Sequence, residues 1–502
     1  MNDFYGKSNV PTVAGQFFGG GYYIGIVGGA GQPANYYLIV APNASGCACC
    51  KWRTDTTLTG NCINPTCNCN NGYWNTYTYL CSAAHPAGNW TRTRSINGFS
   101  DWYLPAKNEL NVLYTNKGTP PAGEQFVSNL YWSSSEDFTS LACLQNFDVG
   151  GVSGGNKTGY FCLRAVRRES FTPSAPTALG QAFMGGYYIG IVGGAGQPAN
   201  YYLIIAPNAS GCACCQWRTD TTLTGNCSNP TCNLNNGYWN TYTYLCSAAH
   251  PAGNWTRTRS INGFSDWYLP AINELNVLYT NKGTPPAGEQ FAIARYWSAS
   301  ESGGGISSSH AYNLNFNGGF PGDYDKPCYH RLRAIRRESF TPSAPTALGQ
   351  AFMGGYYIGT ITSPANYYLI IAPNASGCAC CKWRTDTTLT GNCINPTCNC
   401  NNGYWNTYTY LCNDTHPAGN WTRTRSINGF SDWYLPALNE LNVLYTNKGT
   451  PPAGEQFASN FYWSSSEHST TSACSQNFTN GFIDSNPKTS YYRLRAVRRQ
   501  PF

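Results

Sequence analysis

The chain repeats itself, and no other feature narrows the possible folds so far. GYYIG recurs at Tyr22, Tyr187 and Tyr356, SDWYLPA at Trp102, Trp267 and Trp433, and YWS at Trp132, Trp297 and Trp463. The SDWYLPA tryptophans stand 165 and then 166 residues apart, which is far above a solenoid unit and matches an independent domain. Residues 72–106 and 237–271 are identical, and the third copy departs from them only at Asn413, Asp414 and Thr415. The copies are therefore recent duplicates of one fold. The expected organisation is an N-terminal arm at 1–15, repeats at 16–168, 181–337 and 350–502, and linkers at 169–180 and 338–349. Both linkers lie in ESFTPSAPTALGQAF, whose prolines and small residues predict a short, semi-extended connector and a regular string of domains.

Within a copy, GGYYIGIV and NYYLIVAP read as a β-hairpin, rich in Tyr, Ile and Val and bounded by Gly, Pro and Asn. Pro105 opens a helix in which Leu110, Leu113 and Tyr114 fall at i, i+3, i+4, with Glu109 near its positive end. A second helical segment is expected over Tyr73 to Ala84, where Trp74, Tyr77 and Cys81 share a face. The last third reads as short strands joined by Gly, Ser and Asn loops. Charged residues are only 11% of the 502, against roughly 25% in an ordinary soluble domain, while aromatics reach 15%. That composition excludes disorder and predicts a surface of Asn, Thr, Ser, Gly and Tyr, suited to an extracellular or particle-bound protein. The longest apolar stretches, such as Tyr36 to Ala41, are too short to span a membrane, and MNDFYGKSNV has no apolar core of a secretory signal.

SDWYLPAKNELNVLY, YWSSSE, the short NF segment and LRAVRR, in that order, resemble the Lcl-type C-terminal domain family, a domain of unknown function common in tailed-phage structural proteins and bacterial adhesins. GYYIGIV with YYLIVAPNASG resembles the version seen in phage proteins. The resemblance covers nearly the whole chain, three times. It implies an α+β class made of three tandem C-type-lectin-like domains, each with short antiparallel strands, one or two helices and long loops. It also implies adhesion or virion structure rather than an enzyme activity. One departure is Ala106, Ala271 and Ala437, where relatives carry Thr or Ser as helix cap.

The cysteines depart too, with nine, seven and eight in the successive copies. Cys47, Cys49, Cys50, Cys62, Cys67 and Cys81 have counterparts in both other copies, and six shared positions allow three bridges in 15 connectivities. Cys69 and Cys143 occur together, as do Cys400 and Cys474, whereas copy two has Leu234 and Tyr312 in their places. Joint loss is what a bonded pair would show, so both pairs are expected as disulfides. Cys162 and Cys328 are left as odd thiols. A zinc cluster is the rival reading, but the spacing is poor for zinc knuckles, and disulfides are preferred.

No nucleophile motif, phosphate-cradling glycine loop or zinc-protease signature is present, and no cofactor, metal, enzyme activity or nucleic-acid partner is expected. His85, His250 and His416 precede Pro and read as turn or packing residues. Asp101 and Glu136 recur in each copy as carboxylates bonded to backbone. GGAGQPAN at 28–35 reads as a hairpin loop, and copy three deletes part of it. The arginines Arg92, Arg94, Arg164, Arg167 and Arg168 either hold a polyanion or, as the modest net charge of +7 favours, stack on aromatic rings and pair with carboxylates.

The near-identical copies stop agreeing after YWSSSE, at roughly 137–160, 302–330 and 468–490. Concentrated change on a fixed scaffold is what diversified binding looks like. The candidate ligand groups are Asn156, Lys157 and Tyr160, then Asp323, Tyr324 and Asp325, then Asp484, Asn486, Lys488 and Tyr491. The expected function is a structural or appendage protein of a phage-like virion, located on the virion or outside the cell, that associates with itself or other virion proteins and contacts surface glycans. A bacterial surface or secreted adhesin is the alternative and a carbohydrate-active enzyme the distant one. No membrane insertion is expected.

Overall fold

A computed structural model describes residues 10–302, 309–362, 365–392 and 395–502; residues 1–9 of the expected arm and 303–308 of the second divergent segment lie outside the described residues. Repeat one begins with β1 (Phe17–Phe18), β2 (Gly21–Val27), β3 (Tyr36–Val40) and β4 (Cys47–Lys51). Four short helices follow: α1 (Pro65–Asn70), α2 (Gly72–Trp74) continuing as a π-turn to Tyr79, α3 (Pro86–Arg92) and α4 (Lys107–Thr115). The repeat closes with β5 (Leu130–Glu136), β6 (Leu141–Asn146), β7 (Val152–Asn156), β8 (Tyr160–Leu163) and β9 (Val166–Ser170). The other repeats follow the same plan, so each is mixed α+β, with more helical segments than the one or two expected.

The expected hairpin is β2 with β3. It carries β1 on one side and β9 on the other, so the first and last strands of a repeat share one antiparallel sheet, ordered β1-β2-β3-β9. Everything between leaves that sheet and returns to it. The excursion builds a second sheet in order β4-β8-β5-β6-β7, antiparallel except where β5 runs parallel to β8. Since β9 runs to Ser170 and Phe171 stacks on Tyr37 with ring centroids 4.2 Å apart, the repeat extends beyond residue 168.

Helix α4 lies under the first sheet. Its Leu110, Val112 and Leu113 meet Ile24, Leu38 and Val40 in one core cluster. The sheet comes this close because Gly25 sits at φ +149°, where a Cβ would stand 2.9 Å from Val112. The second sheet packs its own cluster of Trp52, Trp132, Leu80 and Leu144 against the helices. Three tryptophans are fully buried in each repeat, Trp52, Trp102 and Trp132 in the first. Their indole N–H groups donate to the carbonyls of Ser133, Phe99 and Cys50 at 2.7, 3.0 and 2.8 Å, so burial leaves no donor unmet.

The missing Ser or Thr cap at Ala106 is replaced from a distance. Glu109 accepts from the Ala106 N–H at 2.8 Å, and Ser135 Oγ on β5 accepts from the Lys107 N–H at 2.9 Å. Ser300 and Ser466 do the same for Ile272 and Leu438. The third serine of YWSSSE is therefore the helix cap, supplied by a strand.

Successive repeats are joined head to tail by more than the linker. The turn between β2 and β3 bridges to the next repeat, where Gly28 N–H donates to the Gly263 carbonyl at 3.1 Å, and Gly193 N–H donates to that of Gly429 at 3.1 Å. Ile26 and Phe171 pack against the cluster around Phe264; Ile191 and Phe340 do so around Phe430.

Candidate functional site

The divergent segments are hairpins rather than the long loops expected. In repeat one β6 returns along β5, and β7 returns along β6 as the outer edge of the sheet. The pairs His310–Asn315 with Phe320–Asp325 and Ser472–Asn477 with Ile483–Pro487 are the counterparts. A sheet edge with exposed side chains is a ready surface for contact. The most exposed rings of these segments include Phe138 at 65%, Phe320 at 72% and Phe482 at 62%, none of which is among the candidates read from the sequence.

Each hairpin springs from the same root. Lys157, expected to face a ligand, is instead wholly buried: its ammonium donates to Glu136 Oε1 at 2.6 Å and to the carbonyls of Thr57 and Thr139 at 2.9 and 2.7 Å. Lys488 is buried in the same way on Glu467, Thr388 and Thr470, and Lys326 on Glu301 and Thr222. These lysines are structural because the hairpin base folds over them. Glu136 also accepts from the N–H groups of Thr59 and Gly60 at 2.6 and 3.1 Å. Burial pushes the Glu136 carboxyl up, but the Lys157 and Thr59 donors outweigh it and the net shift is down.

The remaining candidates divide. Tyr160, Tyr329 and Tyr491 occupy one structural position, opposite Lys51, Gln216 and Lys382, and are 60%, 61% and 58% exposed. Tyr329, not Tyr324, is therefore the counterpart in repeat two. Tyr324 lies on the edge strand over the Arg295 guanidinium at 4.5 Å. Lys51 and Lys382 lie 5.1 and 5.2 Å from their tyrosine rings, a cation–π contact that Gln216 cannot make. Asn156 is exposed but its Oδ1 accepts from Thr158 N–H and Oγ1 at 3.0 and 2.8 Å. Asp323 accepts from Ser302 Oγ at 3.2 Å, and Asp325 faces His310 at 3.6 Å. Asp484 accepts from the Ser485 N–H, while Asn486 is turned toward Ser475 and Tyr492 and is not free for a ligand.

Beside the root, His85 Nε2 accepts from Arg53 at 2.8 Å, which leaves Nδ1–H to donate to Ser82 Oγ at 3.0 Å. Burial, and then the Arg53 charge, pull its pKa down to about 4, as for His250 and His416. The imidazole is a neutral connector at ordinary pH. Most arginines are used inside the repeat: Arg167 pairs with Asp101 at 2.8 Å, Arg164 with Glu124 at 3.2 Å, and Arg168 lies over Tyr36 and Tyr73. Arg94 stacks on Trp90 at 4.2 Å.

The cysteine expectation needs correcting. A bulge in β4 brings Cys47 and Cys50 together, and Cys47–Cys50, Cys212–Cys215 and Cys378–Cys381 are the disulfides among the described residues. Among the described residues the other shared cysteines are free thiols with different neighbours, and Cys393, the counterpart of Cys62 in repeat three, lies outside them. Cys49 is exposed, Cys62 lies beside Glu136, Cys67 Sγ faces the Gly31 carbonyl at 3.9 Å and Cys81 Sγ that of Thr78 at 3.8 Å. Cys69 with Cys143, and Cys400 with Cys474, stand as neighbouring thiols rather than bridges. Burial pushes Cys143 up to about 12 and Cys474 up to about 11, and the neighbouring thiol adds to each shift. Leu234 and Tyr312 fill the corresponding place against the core of repeat two. Cys162 is buried on β8, and Cys328 is half-buried before the strand Tyr329–Leu332. Native alkylation followed by non-reducing peptide mapping should recover one bridge per repeat, with Cys49 labelled early and Cys143 and Cys474 only after denaturation. A Cys69–Cys143 peptide would reverse this assignment.

Among the described residues no group of three or more His, Cys, Asp or Glu is placed to hold a metal ion, and no helix is long and apolar enough to cross a membrane. The sequence pattern of the Lcl C-terminal domain matches residues 49–167, 213–336 and 380–498. No curated protein matches the chain.

Proposed function

Because the chain belongs to the Lcl C-terminal domain family, in three tandem copies that cover most of its length, we propose that it is a structural or appendage protein of a phage-like particle that adheres through its edge hairpins. Each repeat is read as a C-type-lectin-like domain, in which a sheet made from the first and last strands carries a long excursion. The observation that carries the adhesive reading is the contrast between root and tip. The Glu–Lys root is the same in all three repeats, at 2.6 Å, while the exposed aromatic rings beyond it differ in number and setting. Flat rings beside polar side chains suit sugar rings or partner side chains. A disulfide in each repeat fits a particle outside the reducing cytosol.

The test is a transplant. Residues 137–159 of repeat one are replaced by 302–328 of repeat two, which bring Lys326 and so keep the buried pair. Binding to a glycan array or to host cells should shift toward the profile set by the incoming hairpin, with the melting temperature nearly unchanged. An unaltered binding profile in a folded variant would remove the adhesive reading.

A further inference from the structure

We propose that repeat one presents an open docking face for a glycine-rich hairpin turn of the Ile-Val-Gly-Gly-Ala-Gly type, carried by another repeat of this kind, and that repeat three, which lacks such a turn, ends the stack. This goes beyond the adhesive reading and stands or falls separately from it.

The same face is filled twice within the chain. In repeats two and three, besides the glycine hydrogen bonds, Ser265 and Ser431 Oγ donate to the carbonyls of Ala30 and Ala195 at 3.0 and 2.9 Å. Asn35 and Asn200 of the incoming repeat donate to Glu338 and Gln500 at 3.1 and 3.2 Å. The fit demands glycine on both sides. A Cβ on Gly29 would stand 2.4 Å from Asp266 Oδ1, and one on Gly263 would stand 1.9 Å from the Ile26 carbonyl oxygen.

Repeat one keeps the receiving groups, Phe99, Ser100, Asp101 and Glu169, and among the described residues they are uncovered. The Asp101 side chain is 42% exposed against 14% and 15% for Asp266 and Asp432, and Glu169 is 48% exposed against 17% for Glu338. Ser100 is exposed where Ser265 and Ser431 are buried. One difference is Gly19, which replaces the buried Met184 and Met353 of the other two faces.

At the other end the donor is gone. Repeat three reads TITSPAN from Thr360 where repeats one and two read IVGGAGQPAN, three residues longer. Ile26 and Ile191, which pack on the next repeat, are replaced by the exposed Thr360. A head-to-tail contact that does not close on itself grows into a filament, and a second copy of this chain has no turn left to offer. The partner is therefore a different polypeptide or repeat that carries the turn.

Restoring the donor tests the acceptor. In the full chain, Thr360 to Ser363 are replaced by Ile-Val-Gly-Gly-Ala-Gly-Gln. Sedimentation velocity should then show a weight-average mass that rises at least about twofold with concentration, more strongly with Gly19→Met added, and Ser100→Arg should return the variant to the wild-type profile. A folded restored chain, with or without Gly19→Met, that sediments as wild type overturns the proposal, as does association that survives Ser100→Arg. Should the insertion unfold repeat three, residues 16–180 are instead duplicated ahead of residue 16, which places an intact donor before repeat one. Amide exchange across residues 98–101 should slow to the rate of 263–266; exchange as fast as in the wild type would overturn the proposal.

Discussion

Replacing Lys157 by methionine should destabilise repeat one by about 3–5 kcal/mol, because the change leaves the buried Glu136 carboxylate without its counter-charge. Both side chains are 0% exposed, so water cannot take over the role of the ammonium. The carbonyls of Thr57 and Thr139 lose their donor as well. The double variant Glu136→Gln with Lys157→Met removes the lone charge while keeping an acceptor for the Thr59 N–H, and it should recover a good part of the loss. Calorimetry is the suitable measurement, since three repeats need not unfold together: the single variant should show an early transition with one repeat's share of the enthalpy. Equal stability of the single and double variants would mean that the pair is not electrostatically coupled.

Acidification should weaken all three repeats in two successive steps. His85, His250 and His416 titrate near 6.5 when unfolded and at about 4 when folded. Below pH 6.5 the unfolded chain therefore takes up protons that the folded chain refuses. Their contribution is complete above pH 6.5 and is lost down to about pH 4, by about 1–3 kcal/mol per repeat. Glu136, Glu301 and Glu467 have depressed pKa values; their contribution is present above the ordinary carboxylate range and disappears as pH falls through the folded values. Glu109, Glu274 and Glu440 are raised by burial, so the folded chain takes up these protons before the unfolded one, and they offset part of the first step, above the ordinary carboxylate range. Changing the three histidines to asparagine should flatten the melting temperature between pH 6.5 and 4 while leaving the lower step. A wild-type chain that gained stability over that interval would contradict the assignment.

The sequence announced what local pattern controls. Three copies, the β2–β3 hairpin and helix α4 follow from repeated motifs, from Tyr, Ile and Val runs bounded by Gly, Pro and Asn, and from apolar residues at i, i+3 and i+4. What it hid was tertiary. Lys157 sits in a Gly- and Asn-rich stretch that looks solvated, and only the path of the hairpin base over Thr57 and Thr139 buries it. A clue was present nonetheless: each divergent segment keeps one lysine, Lys157, Lys326 or Lys488. The joint absence of Cys69 and Cys143 counterparts from copy two located a contact correctly but not its chemistry, since packed neighbours are replaced together as readily as bonded ones. Tyr324 stands nearer the Asp323 and Asp325 carboxylates in sequence and so draws attention first, whereas strand register pairs Tyr329 with Gln216 as it pairs Tyr160 with Lys51. The third serine of YWSSSE gave no sign in one dimension that it caps a helix.

The Glu–Lys root has one further consequence, for engineering and for descent. Glutamate and lysine are 21 residues apart in repeats one and three and 25 apart in repeat two, yet the nitrogen and oxygen meet at 2.6 Å every time. Four extra residues have been absorbed without the two anchor points moving. The segment between them behaves as a cassette, held by a latch that its contents do not set. A library randomised between the anchors could be sorted for closure of that latch before any selection for affinity, separating foldable grafts from unfoldable ones. One chain would then carry three grafting ports, one in each repeat.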